Sequence, residues 1–205
     1  MTQRRLVLAS ASPRRRQLLE EAGFTFDVAP ADVDETLPDG LPPGEGAVEV
    51  ARRKAEAAAR GLRAAVVLAA DTIVVAPGMR VFGKPADEDD ARRMLRELSG
   101  STHVVITGVA IMDSDTGRRL SRAVSTEVVF GRMSDADIDE YVGSGEALGK
   151  AGSYAIQETG DRFVQRVNGS LTNVVGLPME AVVGMLERFG IRAADRKSKE
   201  AGGGV

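Results

Sequence analysis

One carboxylate stands inside the most apolar, β-branched run of the chain, Val66-Val67-Leu68-Ala69-Ala70-Asp71-Thr72-Ile73-Val74-Val75. The run reads as a buried strand around which the rest of the fold must be organised. Taking an ionised carboxylate out of water costs several kcal/mol unless the group is paired, hydrogen-bonded or holding a metal. Asp71 must therefore have partners. A structural Asp satisfied by backbone donors at a strand end meets that demand, and so does a functional one; the strand alone does not choose between them.

A chain of 205 residues with 43% hydrophobic content can bury one real core, which predicts a single domain, bilobed at most. Lys+Arg 27 against Asp+Glu 30 gives a net charge of -3, which argues against a nucleic-acid polymer as partner. No apolar run approaches the roughly 20 residues of a membrane span, and Met1 to Arg5 leads straight into a short strand, so a soluble, cytoplasmic protein is expected. With no cysteine and one histidine, His103, thiol nucleophiles, Cys/His zinc sites and disulfides are excluded. Chemistry here must run on Asp, Glu, Ser, Thr, Lys and Arg.

Taken in order, Leu6 to Ala9 reads as a strand that turns at Ser10-Ala11-Ser12-Pro13 into a helix. Ser12 is a suitable N-cap with Pro13 at the first helical position, Leu18, Leu19 and Ala22 supply a buried face, and Gly23 ends it. Arg14, Arg15 and Arg16 fall in the first turn, where the helix dipole is already positive and each cation costs about 0.3–1 kcal/mol. An anion would offset this, so the turn reads as a polyphosphate cradle, the alternative being arginines splayed into solvent.

A second strand is predicted over Phe24 to Pro30, followed by the acidic Asp32-Val33-Asp34-Glu35-Thr36. Asp32-x-Asp34-x-Thr36 also matches the aspartyl-phosphate signature of haloacid-dehalogenase-type phosphatases, but that chemistry needs the first Asp at the end of an apolar strand, and Ala29-Pro30-Ala31 precedes it. A loop contributing Glu35 to a metal is preferred, with a merely solvated turn as the alternative. Ala47 to Arg60 has helical period, with Lys54 at the edge of the apolar face, where a lysine that only snorkels is common.

Pro77-Gly78 predicts a hairpin that returns through Arg80 to Gly83 and aims Lys84 at the Asp71 strand. Asp87 caps a helix with core residues Ala91, Met94, Leu95 and Leu98; Thr102 to Met112 and Arg118 to Phe130 alternate as two long strands, with His103 expected on the sheet surface. Ser134 caps another helix. Phe163 to Val167 reads as a strand, Asn168-Gly169 as a turn, and a last helix buries Met179, Val182, Val183, Leu186 and Phe189 with Gly190 as its cap. The predicted domain is 1–190, with 191–205 a polar, disordered tail.

These pieces resemble one family: Ser10-x-Ser12-Pro13-Arg14-Arg15, Ala51-Arg52-x-Lys54-Ala55, Ala69-Ala70-Asp71-Thr72, Gly83-Lys84-Pro85, Ser99-Gly100 with Thr107-Gly108-Val109, Lys150-Ala151-Gly152, Tyr154-Ala155-Ile156-Gln157 and Asn173-Val174-Val175-Gly176-Leu177-Pro178. In this order, from about Leu6 to Gly190, they are similar to the motifs of Maf proteins, also called septum formation inhibitors. The resemblance implies an α/β fold of the inosine-triphosphatase-like kind, with a mixed, elongated central sheet flanked by helices and two lobes around a deep cleft. It implies hydrolysis of the α-β phosphoanhydride bond of nucleoside triphosphates with a divalent cation, Mg2+ or Mn2+, and a possible homodimer. By the same resemblance Asp71 is the general base, Ser10, Ser12, Arg14, Arg15, Lys54 and Lys84 bind substrate, and Glu35 and Asp71 hold the metal. Arg14, Thr72 and Gln157 match the positions that mark the dTTP/UTP branch. Ser153 departs from the pattern, standing where glycine is usual.

A sister branch acting on methylated guanosine triphosphate is a second reading, but it carries Ser-Pro-Tyr-Arg and a Glu in place of the Pro13-Arg14-Arg15 and Gln157 found here. A septum or cell-division regulator that binds nucleotide without turnover is a third, and it has no need of Asp71. For base choice, Gln157 could meet both O4 and N3-H of uracil or thymine, provided Arg14 fixes the orientation of its amide.

Overall fold

A computed structural model describes residues 4–157 and 159–194. The carboxylate-bearing run forms β3 (Ala65–Val75), in which every residue but Thr72 is buried. It pairs in parallel with β1 (Arg5–Leu8), which pairs in parallel with β2 (Phe26–Val28). On its other edge β3 runs antiparallel to β5 (Thr102–Asp113), then come β6 (Arg119–Phe130) and β7 (Val164–Asn168), both antiparallel. The seven-stranded mixed sheet has the order β2-β1-β3-β5-β6-β7, with the short β4 (Val81–Phe82) also on β3.

The helices are α1 (Pro13–Glu21), α2 (Pro43–Ala59), α3 (Glu88–Leu98), α4 (Asp135–Gly143), α5 (Leu171–Val175) and α6 (Met179–Glu187). Their starts follow from local chemistry. The Ser12 hydroxyl accepts from Arg15 N with Pro13 behind it, Asp87 accepts from Asp90 N, and Ser134 with Asp137 forms a reciprocal capping box.

Strand alternation sends the two faces of β3 to different helices. Val66, Leu68 and Ala70 pack with Leu6, Leu8, Leu19 and Leu186, and Val74 joins a second cluster built on Leu95, Leu98, Phe130 and Tyr141. Val67 and Ala69 meet Ala51 and Ala55 of α2, and Ile73 and Val75 meet Ala47 at its start. By this parity Asp71 faces α2 and Thr72 faces away from it. Helix α2 lies close to the sheet because Gly108 of β5 has no side chain; a Cβ there would sit 2.3 Å from the Ala47 carbonyl carbon.

Pairing with β1 stops at Leu8–Leu68 and pairing with β4 begins only at Val74–Phe82, both on the edge of β3 away from β5. The stretch between, which carries Asp71 and Thr72, therefore has no strand beside it on that edge among the described residues. This gap opens as a cleft between the apolar cluster under α1 and α6 and the one under α3 and α4.

Three expectations are corrected. His103 is not on the surface: it is 1% exposed, its ring set edge-on to Phe130 and Tyr154, because the neighbouring helices cover that side of β5. The segment before the last helix contains α5, capped by Ser170, whose hydroxyl accepts from Asn173 N. The polar tail does not begin at 191, since Ile191 is buried and Ala194 N donates to Gly23 O; the rest of the proposed tail, 195–205, lies outside the described residues.

Candidate active site

The cleft measures about 1040 Å³ and is lined by the end of β1, the turn into α1, the acidic loop before α2, the middle of β3, the loop after β4, and residues 148–151 and 174–176. Its floor is a chain of alternating charges. Lys54 of α2 donates from Nζ to Asp71 Oδ1 at 2.7 Å and lies 2.9 Å from Glu35 Oε1, while Lys84 Nζ reaches Glu35 Oε2 at 3.0 Å. The partner that β3 requires for its carboxylate is therefore a lysine, not backbone donors. Lys54 is itself buried, so from the edge of the helical stripe it does not snorkel to solvent.

Glu35 is delivered by a segment without regular secondary structure that is tied to α2: Thr36 N donates to Asp34 Oδ1, and Arg53 Nη1 donates to the carbonyls of Asp34 and Thr36. Partial burial pushes the Glu35 carboxyl up, but hydrogen bonds from Lys54 and Lys84 outweigh it and hold the group below the usual carboxylate range. Asp32 is exposed and does not line the cleft, so nothing places it for attack on phosphorus.

Arg15 behaves differently from the phosphate cradle expected of it. Its Nε donates to Gly176 O at 2.8 Å, Nη1 to Ala70 O at 2.8 Å and to Ser10 Oγ at 3.1 Å, and Nη2 to Thr72 Oγ1 at 3.0 Å. The guanidinium thus fills the gap along the open edge of β3, giving the unpaired Ala70 carbonyl its donor. Burial lowers its pKa from the ordinary arginine value, with Asp71 acting against the shift. Arg14, its neighbour, also lines the cleft, whereas Arg16 is exposed.

Among the residues singled out from sequence, Ser10, Ser12, Arg14, Arg15, Glu35, Lys54, Asp71, Thr72 and Lys84 all line this cleft. Gln157 does not; it is exposed, in a turn beyond Tyr154. The motif that carries Gln157 delivers Tyr154 to the cleft instead. Lys150 and Tyr154 also line the site and were passed over as site residues, although they belong to motifs noted above. The signal was the glycine at 152, whose backbone approaches β3 so closely that a Cβ would lie 2.7 Å from Val74 Cγ2. Ser153, where glycine is usual, holds the left-handed φ of 63° that favours glycine, and its hydroxyl rests against Met94 Sδ at 3.3 Å.

No group of three or more His, Cys, Asp or Glu able to hold a metal occurs among the described residues. Asp71 and Glu35, converging on a single ammonium, are the carboxylates at the cleft floor. That donor set fits Mg2+ or Mn2+, which retain water and take ligands from substrate phosphates beside one or two carboxylates. No helix among the described residues is long and apolar enough to cross a membrane.

Several known proteins are similar to this chain. The family described as Maf-like protein matches residues 5–189. A dTTP/UTP pyrophosphatase of Anaeromyxobacter dehalogenans (strain 2CP-C) is 54% identical over 188 residues, covering 91% of this chain and 94% of that protein. Proteins of the same name from Pelotomaculum thermopropionicum and Geobacter sulfurreducens are each 48% identical, covering 90% and 93% of this chain and 96% and 99% of theirs. A solved structure of a HAM1 protein from Coxiella burnetii overlaps 90% of this chain and 99% of that one, at 21% identity and a TM-score of 0.49.

Proposed function

We propose a function from the premise that this chain belongs to the Maf-like protein family: it is a nucleoside triphosphate pyrophosphatase that hydrolyses dTTP and UTP to the monophosphate and pyrophosphate. Its relatives at about half identity carry the name dTTP/UTP pyrophosphatase over nearly their whole length. The observation in this chain that carries the reading is the Asp71–Lys54–Glu35–Lys84 charge chain on the cleft floor. A regulator that only bound nucleotide would gain from the lysines, but a carboxylate facing an incoming polyanion opposes binding. Its value is in taking a proton.

In this reading Asp71 holds Lys54 through Oδ1 and uses Oδ2 to accept a proton from the water that attacks phosphorus. Lys54 and Lys84 exchange part of their carboxylate contact for the phosphate oxygens, where negative charge grows as the α-β bond breaks. Arg14, at the mouth of the α1 N-terminus, adds a cation on the other wall. Glu35 and Asp71 would hold the divalent cation or orient a water bound to it, the cation when bound supplying charge neutralisation at the phosphates and a more acidic water.

With Gln157 outside the cleft lining, base choice rests on residues that line it, Arg14 and Thr72. The deciding experiment is pyrophosphate release with Mg2+ or Mn2+ across UTP, dTTP, CTP, GTP and a methylated GTP. Release from UTP and dTTP well above the rest supports the reading. Preference for the methylated purine moves the chain to the sister activity, and tight binding without release makes it a nucleotide-binding regulator.

A further inference from the structure

Glu35 reaches the cleft floor from a segment with few ties of its own. Between Ala31 and Leu37 the chain makes no backbone–backbone hydrogen bond among the described residues, and 46% of the Glu35 side chain is exposed, so neither a ladder nor burial fixes the carboxylate. Besides Lys84, three residues hold the segment against α2 and the strand beneath it. Lys54 Nζ lies 2.9 Å from Glu35 Oε1, and Leu37 packs on Ala47, Ile73 and Val75 where Gly46 leaves it room. Arg53 Nη1 donates to the main-chain carbonyls of Thr36 at 3.0 Å and Asp34 at 3.3 Å.

A guanidinium Nη carries two hydrogens. Those of Arg53 Nη1 go to the two carbonyls that bracket Glu35, so one nitrogen grips the main chain on either side of it. The other partner within reach is Glu49, one turn earlier on α2, and its Oε1 stands 3.7 Å from Arg53 Nε, beyond hydrogen-bond length. Arg53 is therefore directed at the loop and not at its own helix.

The ties differ in how a filled cleft affects them. Lys54 and Lys84 are the cations for which phosphate oxygens compete, so their hold on Glu35 weakens when a polyphosphate enters. Arg53 does not line the cleft, and its hold on two carbonyls is left intact. We infer that Arg53 is a positioning residue of the reaction, clasping the main chain around Glu35 so that this carboxylate stays at the cleft floor while Lys54 and Lys84 turn to the phosphates. The inference rests on the hydrolase reading above and adds to it the device that keeps the mobile carboxylate in place.

The test is a cycle on kcat and KM for UTP with Arg53→Ala and Glu35→Gln. Arg53→Ala should lower kcat about tenfold, as loss of a group that orients an active-site carboxylate does, with UMP affinity and the urea midpoint close to those of the wild type. In a chain already carrying Glu35→Gln it should lower kcat no further, because both changes act through the same carboxylate. Arg53→Lys, whose ammonium can still donate to both carbonyls, should recover most of the rate. An unchanged kcat in Arg53→Ala would overturn the inference. So would a full further loss in the Glu35→Gln background, or a midpoint that falls with kcat and is not restored by Arg53→Lys, since either makes Arg53 a general support of the fold. Hydrogen exchange of residues 31–37, which does not depend on turnover, should be faster in Arg53→Ala than in the wild type or Arg53→Lys, and equal exchange in all three would contradict the clasp. A wild type that releases no pyrophosphate from UTP would sink the hydrolase reading, and with it any part for Arg53 in the reaction, whatever the exchange shows of the loop.

Discussion

The Lys54 ammonium lies 2.7 Å from Asp71 Oδ1 and 2.9 Å from Glu35 Oε1, so one cation from α2 joins the carboxylate of the central strand to the acidic loop. Removing it leaves Asp71 charged, buried and without its partner. Lys54→Met should therefore lower the unfolding free energy by about 3 kcal/mol. Adding Asp71→Asn removes the stranded charge and should return most of that loss, a coupling that urea unfolding of the two single variants and the double one will measure. Additive losses would show that the pair contributes little.

Lys84 sits at the far, exposed end of the same chain, with 59% of its side chain open to solvent. Its pairing with Glu35 adds little stability, so Lys84→Ala should unfold at nearly the wild-type denaturant midpoint. Its effect belongs to the triphosphate. One lost charge-assisted contact predicts a KM for UTP raised about ten- to a hundredfold, with UMP binding much less changed. Steady-state kinetics beside UMP calorimetry separates the two, and equal losses would move Lys84 away from the β- and γ-phosphates.

Much of this architecture was legible from sequence because it rests on short-range rules. The Ser12, Asp87 and Ser134 caps, the turn at Pro77-Gly78 and the alternation of the two long strands each depend on residues within a few positions of one another. The need for a partner at Asp71 was legible too, since a charge in an apolar strand is a local contradiction. Which residue meets it was not. Lys54 reaches Asp71 only because α2 is pressed onto the sheet at Gly108, and Arg15 meets Gly176, 161 residues away, only because α5 closes over α1. Without those packings, arginines in a helix's first turn read as ligands for an anion. The Arg15 guanidinium instead caps backbone carbonyls, and Arg14 is left facing the cleft. Gln157 shows the converse: it is exposed and does not line the cleft, because a motif fixes the order of residues, not the side of a turn on which each one emerges.

His103 gives a prediction in pH. Burial pulls its pKa from the ordinary 6.5 down to about 4, and its Nε2 pairs with the Tyr154 hydroxyl at 2.9 Å while Nδ1 has no partner among the described residues. Between pH 6.5 and 4 the unfolded chain binds the proton and the folded chain does not, so stability falls as pH is lowered through that window and levels off below it. At about 1.4 kcal/mol per pK unit the loss amounts to roughly 3 kcal/mol. Carboxylates titrate in the same range, so the measurement is a difference. Wild-type stability relative to His103→Gln, from urea melts at pH 7, 5.5 and 4, should decline steadily; a constant difference would mean that the imidazole accepts its proton without cost in the folded state.

The central claim is that Asp71 takes a proton during hydrolysis, and Asp71→Asn tests it while keeping shape and hydrogen-bonding capacity. Pyrophosphate release from UTP should be followed beside equilibrium binding of UMP by the same preparation. The account predicts a folded variant that binds UMP much as the wild type does and releases pyrophosphate at least about a hundredfold more slowly. Release at the wild-type rate would make Asp71 a structural partner of Lys54 and contradict the mechanism.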